Sequence, residues 1–209
     1  MVHKAIVLLS GGVDSVTCLY WALKQGYQVI ILTLNYKSRP GKEKEITRSF
    51  ASLLHLQLVE LDIPFLRSAA DLLKENFPAD YKDIYDDGYI PAKNLVFYSI
   101  ACFFAEALGA EYIIGGHIAH DGEIFPDATR PYFNEFESLI NKSLVSDIKP
   151  SPKILTPLIT LSKEEVGKLA KNLNVPLDKT WSCYKDDEEQ CGTCLSCLER
   201  NKAMQQFKT

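Results

Sequence analysis

LLSGGVDSVTC, residues 8–18, directly follows the apolar run Ala5-Ile6-Val7. If residues 5–9 form a strand and residues 16–24 a helix, then residues 10–15 are the turn between them. That turn lies at the carboxyl end of a parallel strand, where α/β proteins meet their ligands. Gly11 and Gly12 remove the Cβ atoms that would hold a phosphate away from the backbone, and the helix N-terminus offers unpaired N–H groups. Ser10 and Ser15 add hydroxyl donors. Asp14 is the odd member: a carboxylate beside a phosphate repels it unless a cation such as magnesium lies between them, or unless Asp14 caps the helix. A plain strand-to-helix turn with an Asp or Ser N-cap is the competing reading. The stretch is neither a G-x-x-x-x-G-K-[ST] loop nor a G-x-G-x-x-G fingerprint.

Outward from this loop, apolar runs alternate with helical patterns: residues 5–9, 15–25, 28–34, 42–54 and 57–61, then a helix over 94–108 and a buried strand over 111–115. Such alternation implies α/β architecture, a doubly wound and mostly parallel sheet with crossover helices. Gly26 and Gly109 close their helices. Residues 64–92 carry no clean period and are expected to form a short helix near 65–76 followed by a long lid-like loop. Residues 120–131, rich in turn formers, are expected to be a loop. Ser162 with Glu165 three residues on forms a capping box that starts another helix. The expected organisation is a nucleotide-binding α/β domain over residues 1–160 and a small helical, cysteine-bearing lobe over 161–209.

The chain has 209 residues, 46% of them hydrophobic, and a formal net charge of −4 from 27 acidic and 23 basic residues. This size supports one substantial core and a small appendage. The acidic balance supplies no broad basic field for a polyanion, so a small-molecule substrate is expected and no direct nucleic-acid partner. No run approaches 18 apolar residues and the start does not read as a cleavable signal, so no membrane association and a cytoplasmic location are expected.

Four of the six cysteines fall close together, Cys183, Cys191, Cys194 and Cys197, with the spacing C-x7-C-x2-C-x2-C. Four thiolates at such spacing suit tetrahedral zinc, with a structural role. An iron–sulfur cluster is the competing reading, although nothing else in the sequence calls for redox chemistry. Cys18 and Cys102 lie on helix faces and read as small buried hydrophobes, chemically inert.

SGGVDS (10–15) resembles the PP-loop of ATP pyrophosphatases, which cleave ATP between the α and β phosphates and pass AMP to a substrate oxygen. Taken with LNYKSR (34–39), IPAKN (90–94), IFPD (124–127), LTPLITLSKEEV (155–166) and TWSCYKDDEEQCGTCLSC (180–197), nearly the whole chain resembles the 7-cyano-7-deazaguanine synthase family of the queuosine and archaeosine pathways. The resemblance implies a carbon–nitrogen ligase that converts 7-carboxy-7-deazaguanine and ammonia to the nitrile through an adenylated acid and an adenylated amide. It implies ATP, Mg2+ and Zn2+ as cofactors and a homodimer.

It also implies roles for single residues. Leu9, Ser10, Gly11, Gly12, Val13, Asp14, Ser15, Val16 and Thr17 form the nucleotide segment, with Ser10, Asp14 and Ser15 at the reacting phosphates. Tyr36, after Leu32 to Leu34, ends the second strand beside the adenine. Lys93 stands where the family has Arg and neutralises a carboxylate or phosphate as a point charge, without an arginine's fork. Arg39, Asn94, His117 and Asp127 are the candidate substrate contacts, each with a plainer reading beside it. Arg39 could be surface charge, Asn94 an N-cap, His117 a structural histidine and Asp127 a turn former. His120 is a weaker candidate of the same kind, and Trp181 reads as packing for the cysteine lobe.

Two stretches depart from the family pattern. Tyr36-Lys37-Ser38-Arg39-Pro40 stands where Y-G-Q-R-H is expected, and HIAHDGEIFPDAT (117–129) keeps Asp121 and Asp127 but lacks the expected tyrosine and cysteine. These positions border the substrate rather than ATP. A relative that adenylates another carboxylate or amide, a tRNA-thiolating PP-loop enzyme and a noncatalytic zinc-ribbon protein are the alternatives.

Overall fold

Strand β1 (Lys4–Leu8) sets the architecture. Its centre, Ala5, Ile6 and Val7, is fully buried because helices cover both faces of the sheet. It pairs in parallel with β2 (Gln28–Asn35) on one side and β4 (Tyr112–Ile114) on the other. Strands β3 (Gln57–Asp62) and β5 (Lys153–Leu155) extend the sheet to the parallel order β3-β2-β1-β4-β5. The computed structural model describes residues 2–68, 89–143 and 151–207.

Parallel neighbours need crossovers, and the helices fall on the two faces that the period-2 alternation of the strands creates. Ala5, Val7, Val29 and Ile31 pack with Leu19 of α1 (Val13–Lys24) and Phe50 of α2 (Gly41–Leu53). Their alternates Ile6, Ile30 and Leu32 pack with Tyr98 of α3 (Lys93–Leu108) and with Phe133 and Phe136 of α5 (Arg130–Ser143). The α1/α2 face also takes Val166 and Ala170 from α6 (Lys163–Asn172) and Ala203 from α7 (Leu195–Met204). The cysteine-bearing end of the chain therefore shares the main core. Among the described residues, no helix is long and apolar enough to cross a membrane.

The doubly wound, parallel expectation holds, and several local expectations do not. Helix α1 begins at Val13, with Gly12 at the N-cap and no side-chain cap, so neither Asp14 nor Ser15 caps it. Both sit inside its first turn. Residues 120–131, expected to be a loop, instead wind into α4 (Ala119–Ile124), a 3-10 turn (Pro126–Ala128) and the start of α5. Helix α5 was not anticipated, although Phe133, Phe136 and Ile140 give it a buried stripe at helical spacing. The Thr156-Pro157-Leu158 element leaves the sheet after Leu155, turning through the Ile159 N to Thr156 O bond, because Pro157 has no N–H for a ladder. Of the expected helix near 65–76 and the lid over 64–92, residues 69–88 lie outside the described residues, and 65–68 are not helical.

Candidate active site

Strand order reverses direction between β1 and β4, so the loops leaving their carboxyl ends diverge and open a crevice. A cavity of about 430 Å³ lies there. Its floor is the turn after β1, where the two serines are knotted together: Ser10 and Ser15 hydroxyls are 3.0 Å apart, and Ser15 Oγ donates to Gly12 O at 3.1 Å. Gly11 takes φ +92°, and a Cβ there would lie 3.1 Å from Glu43 O, so only glycine lets the turn sit against α2. On the β4 side, a Cβ on Gly116 would come within 2.9 Å of Ser15 N, and one on Gly115 would collide with the Tyr98 hydroxyl. The two loops thus meet backbone to backbone over the α1 N-terminus.

Leu9, Ser10, Gly12, Asp14 and Ser15 line the cavity. Val13, Val16 and Thr17, expected with them, face the core instead, because helical periodicity turns every third or fourth residue away from the cleft. Asp14 is not left alone against a phosphate. Lys163 Nζ donates to both its carboxylate oxygens, at 2.6 and 2.8 Å. Sequence reading missed Lys163, although a signal was present: it is the first residue of α6, where a lysine opposes the helix dipole and calls for a compensating anion. The Ser162–Glu165 capping box that places it is formed as the sequence indicated.

Arg39, expected on substrate, is among the residues lining the cavity and also braces the loop from within the protein. Its side chain is 2% exposed. It donates to Glu43 Oε2, Thr33 Oγ1, Asn35 Oδ1, Thr47 Oγ1 and Ser10 O, which gives each of its five N–H groups an acceptor within the protein. Burial pushes the Glu43 carboxyl up while Arg39 pulls it down.

Lys93 opens α3 directly after Ala92, whose left-handed φ of +51° turns the chain into the helix. It lines the cavity together with Glu43, Asp121 and His117, and its charge acts to lower all three of their pKa values. Asn94 is not the N-cap, since Ala92 holds that position; its Nδ2 donates to Asp127 O at 3.0 Å and its N–H faces Asp127 Oδ2 at 3.4 Å. Asp127 and Asn94 therefore form one unit at the cavity edge. Tyr36 lines the cavity with Leu32 and Leu34, its hydroxyl driven up by burial. His120 is exposed and pairs with Glu123.

His117 faces the cavity with Nε2 3.0 Å from the Tyr98 hydroxyl. Burial, then the charge of Lys93, pushes its pKa down to about 3. An unfolded histidine binds its proton near 6.5, so the stability present above that pH is lost as the pH falls from about 6.5 toward 3. Between pH 7 and 5 the wild type should lose about 2 kcal/mol more than His117→Asn in denaturant melts. Parallel pH curves for the two proteins would show that the ring titrates normally.

Cys183, Cys191, Cys194 and Cys197 converge, with all four Sγ atoms within 4.8 Å of one another. Backbone N–H groups of Lys185 and Cys191 point at Cys183 Sγ, and that of Cys194 at Cys191 Sγ, each at 3.4 Å. Donors aimed at sulfur favour thiolates, and such a closed four-sulfur set fits a metal. Trp181 packs on this cluster and donates its backbone N–H to Gly11 O at 3.0 Å, tying the lobe to the phosphate loop. Cys18 and Cys102 are buried elsewhere, and burial raises both thiols, that of Cys102 to about 12.

Fold and loop together define a PP-loop, ATP-using α/β enzyme carrying a four-cysteine cluster whose geometry fits a metal. In fold the chain is similar to a 4-thiouridine synthetase solved with RNA and bound ATP (TM-score 0.58, 19% identity, 98% of this chain and 50% of that one). It is also similar to NMN synthetase from Francisella tularensis (TM-score 0.54, 17% identity, 99% and 87%). The chain belongs to the family described as queuosine biosynthesis protein QueC, whose model matches residues 4–208. Among its relatives are the 7-cyano-7-deazaguanine synthases of Nitratiruptor sp. (39% identity, 97% of this chain and 94% of the relative) and Thermoplasma volcanium (37%, 97% and 86%). It is a ligase-type enzyme that uses a nucleotide and acts on a small molecule.

Proposed function

We propose that this protein is a 7-cyano-7-deazaguanine synthase. The observation that carries the reading is one cavity lined by the phosphate loop, by Lys93 and by the hydrogen-bonded Asn94–Asp127 unit. Ser10, Gly11, Gly12 and Ser15 hold the departing pyrophosphate on backbone N–H groups and hydroxyls, and Leu32, Leu34 and Tyr36 wall the adenine. Asp127 accepts from the N–H edge of the deazaguanine, as carboxylates do with guanine-like edges. Lys93 holds the carboxylate against the α-phosphorus.

The carboxylate oxygen attacks that phosphorus, forming an O–P bond as the α–β bridge breaks and pyrophosphate leaves. Ammonia then adds to the acyl carbon, loses a proton, and expels AMP to give the amide. The amide oxygen repeats the attack on a second ATP, and loss of AMP with the two nitrogen protons leaves the nitrile. Water must be excluded while the acyl adenylate exists.

Asp14 and Asp121 would hold Mg2+. Burial and then the repelling charge of Asp14 raise the Asp121 carboxyl, a conflict that a divalent cation relieves. Such an ion supplies charge neutralisation at the phosphates. The all-sulfur donor set supports zinc at the cysteine cluster. The net charge of −4 supports a free small molecule rather than nucleic acid as partner. The reading extends to a cytoplasmic homodimer, on the strength of the family membership.

Mass spectrometry of a reaction with ATP, Mg2+, ammonium and 7-carboxy-7-deazaguanine tests it. The expected result is the nitrile with two AMP released per molecule; AMP release without nitrile would assign a different product.

A further inference from the structure

We propose that Asp186 is a positioning residue for nucleotide binding, pinning the first turn of α2 so that α2 holds the phosphate loop in its open shape. The proposal deepens the nucleotide-binding reading and rests on it.

Helix α2 has no cap of its own. Its N-cap is Pro40, which offers no side-chain acceptor, and the N–H groups of its first turn would be orphaned. Asp186, from the cysteine lobe 145 residues away, supplies the acceptors: Oδ2 takes the Gly41 N–H at 2.9 Å and Oδ1 the Lys42 N–H at 2.8 Å. Gly41 is what admits the carboxylate, because a Cβ there would lie 2.9 Å from Asp186 Oδ2.

On the lobe side, Asp186 follows Lys185, whose N–H is directed at Cys183 Sγ. On the cleft side, α2 carries Glu43, whose carboxylate takes Arg39 Nε at 3.2 Å, and Arg39 Nη2 donates to Ser10 O at 2.9 Å. Glu43 O and Ile46 Cγ2 each lie 3.1 Å from where a Gly11 Cβ would stand. The path from the cysteine cluster to the phosphate loop therefore has contacts at every step. It passes through Arg39 and Gly41, in and beside the stretch 36–40 that departs from the expected family pattern.

Isothermal titration of the metal-loaded protein with α,β-methylene-ATP tests the proposal, with metal content measured in the same preparations. Loss of an exposed cap corresponds to about threefold to tenfold in equilibrium. Asp186→Ala is expected to retain its metal and to bind the analogue about threefold to tenfold more weakly, with Asp186→Asn between it and wild type. In steady-state kinetics, KM for ATP should rise by the same factor while KM for the carboxylic acid stays put; a merely structural role would lower the active fraction and move neither KM. Gly41→Ala, which pushes the carboxylate away from the other side, should reproduce the effect. Unchanged affinity in Asp186→Ala overturns the proposal, as does weakened binding that tracks metal loss. If the wild type itself fails to bind the analogue, the nucleotide reading falls with it.

Discussion

Lys163→Ala lowers kcat/KM for ATP by about 100-fold to 1000-fold, the scale expected when one preorganised charge beside a reacting phosphate is removed. Two effects act in the same direction. The substitution deletes the cation, its side chain 10% exposed, that is paired with Asp14, and it leaves the Asp14 carboxylate, 25% exposed, without that partner in the cleft where the triphosphate is proposed to bind. Repulsion between like charges a few ångströms apart is only weakly screened in such a cleft. Asp14→Asn combined with Lys163→Met removes both charges and separates the effects. The double variant should melt close to wild type, because no charge is left unpaired, yet stay well below wild-type activity, because the site has lost both the lysine cation and one of the two carboxylates proposed to hold Mg2+. Steady-state kinetics over a range of ATP concentrations, with thermal melts, provides the check. A single Lys163→Ala variant within threefold of wild type would remove Lys163 from the site.

Loss of the metal is the second large effect. Cys183→Ser is expected to release the ion and to cost about 3–5 kcal/mol, or about 6–20 °C in melting temperature for a chain of this size. Cys183 is fully buried, and its sulfur is the acceptor for two backbone N–H groups. Without it the turn that presents Trp181 to Gly11 O loses its anchor. Differential scanning calorimetry with metal quantification checks this, and Cys102→Ala is the control, since its buried thiol lies on the opposite face of the sheet. A metal-free Cys183→Ser protein that melts with the wild type would show that the four thiols are packing alone.

The sequence determined the parallel α/β class, the phosphate loop at the end of β1 and the four-cysteine cluster, because each rests on short-range chemistry. Buried strands read as apolar runs, glycines mark backbone that must approach a ligand, and close cysteine spacing brings thiols together whatever the rest of the chain does. The capping box at Ser162 was legible for the same reason. What tertiary structure alone decided are the partnerships across long separations. Asp14 and Lys163 stand 149 residues apart and meet only because α6 docks against α1. Arg39 read as surface charge or a ligand contact, and the fold surrounds it with acceptors from β2, α2 and the phosphate loop. His117 and Tyr98 pair across the β4 turn because Gly115 leaves room for the tyrosine hydroxyl. A side chain's type and its neighbours in the chain state what it can do. Which charge it meets, and whether water reaches it, depend on how the helices pack against the sheet.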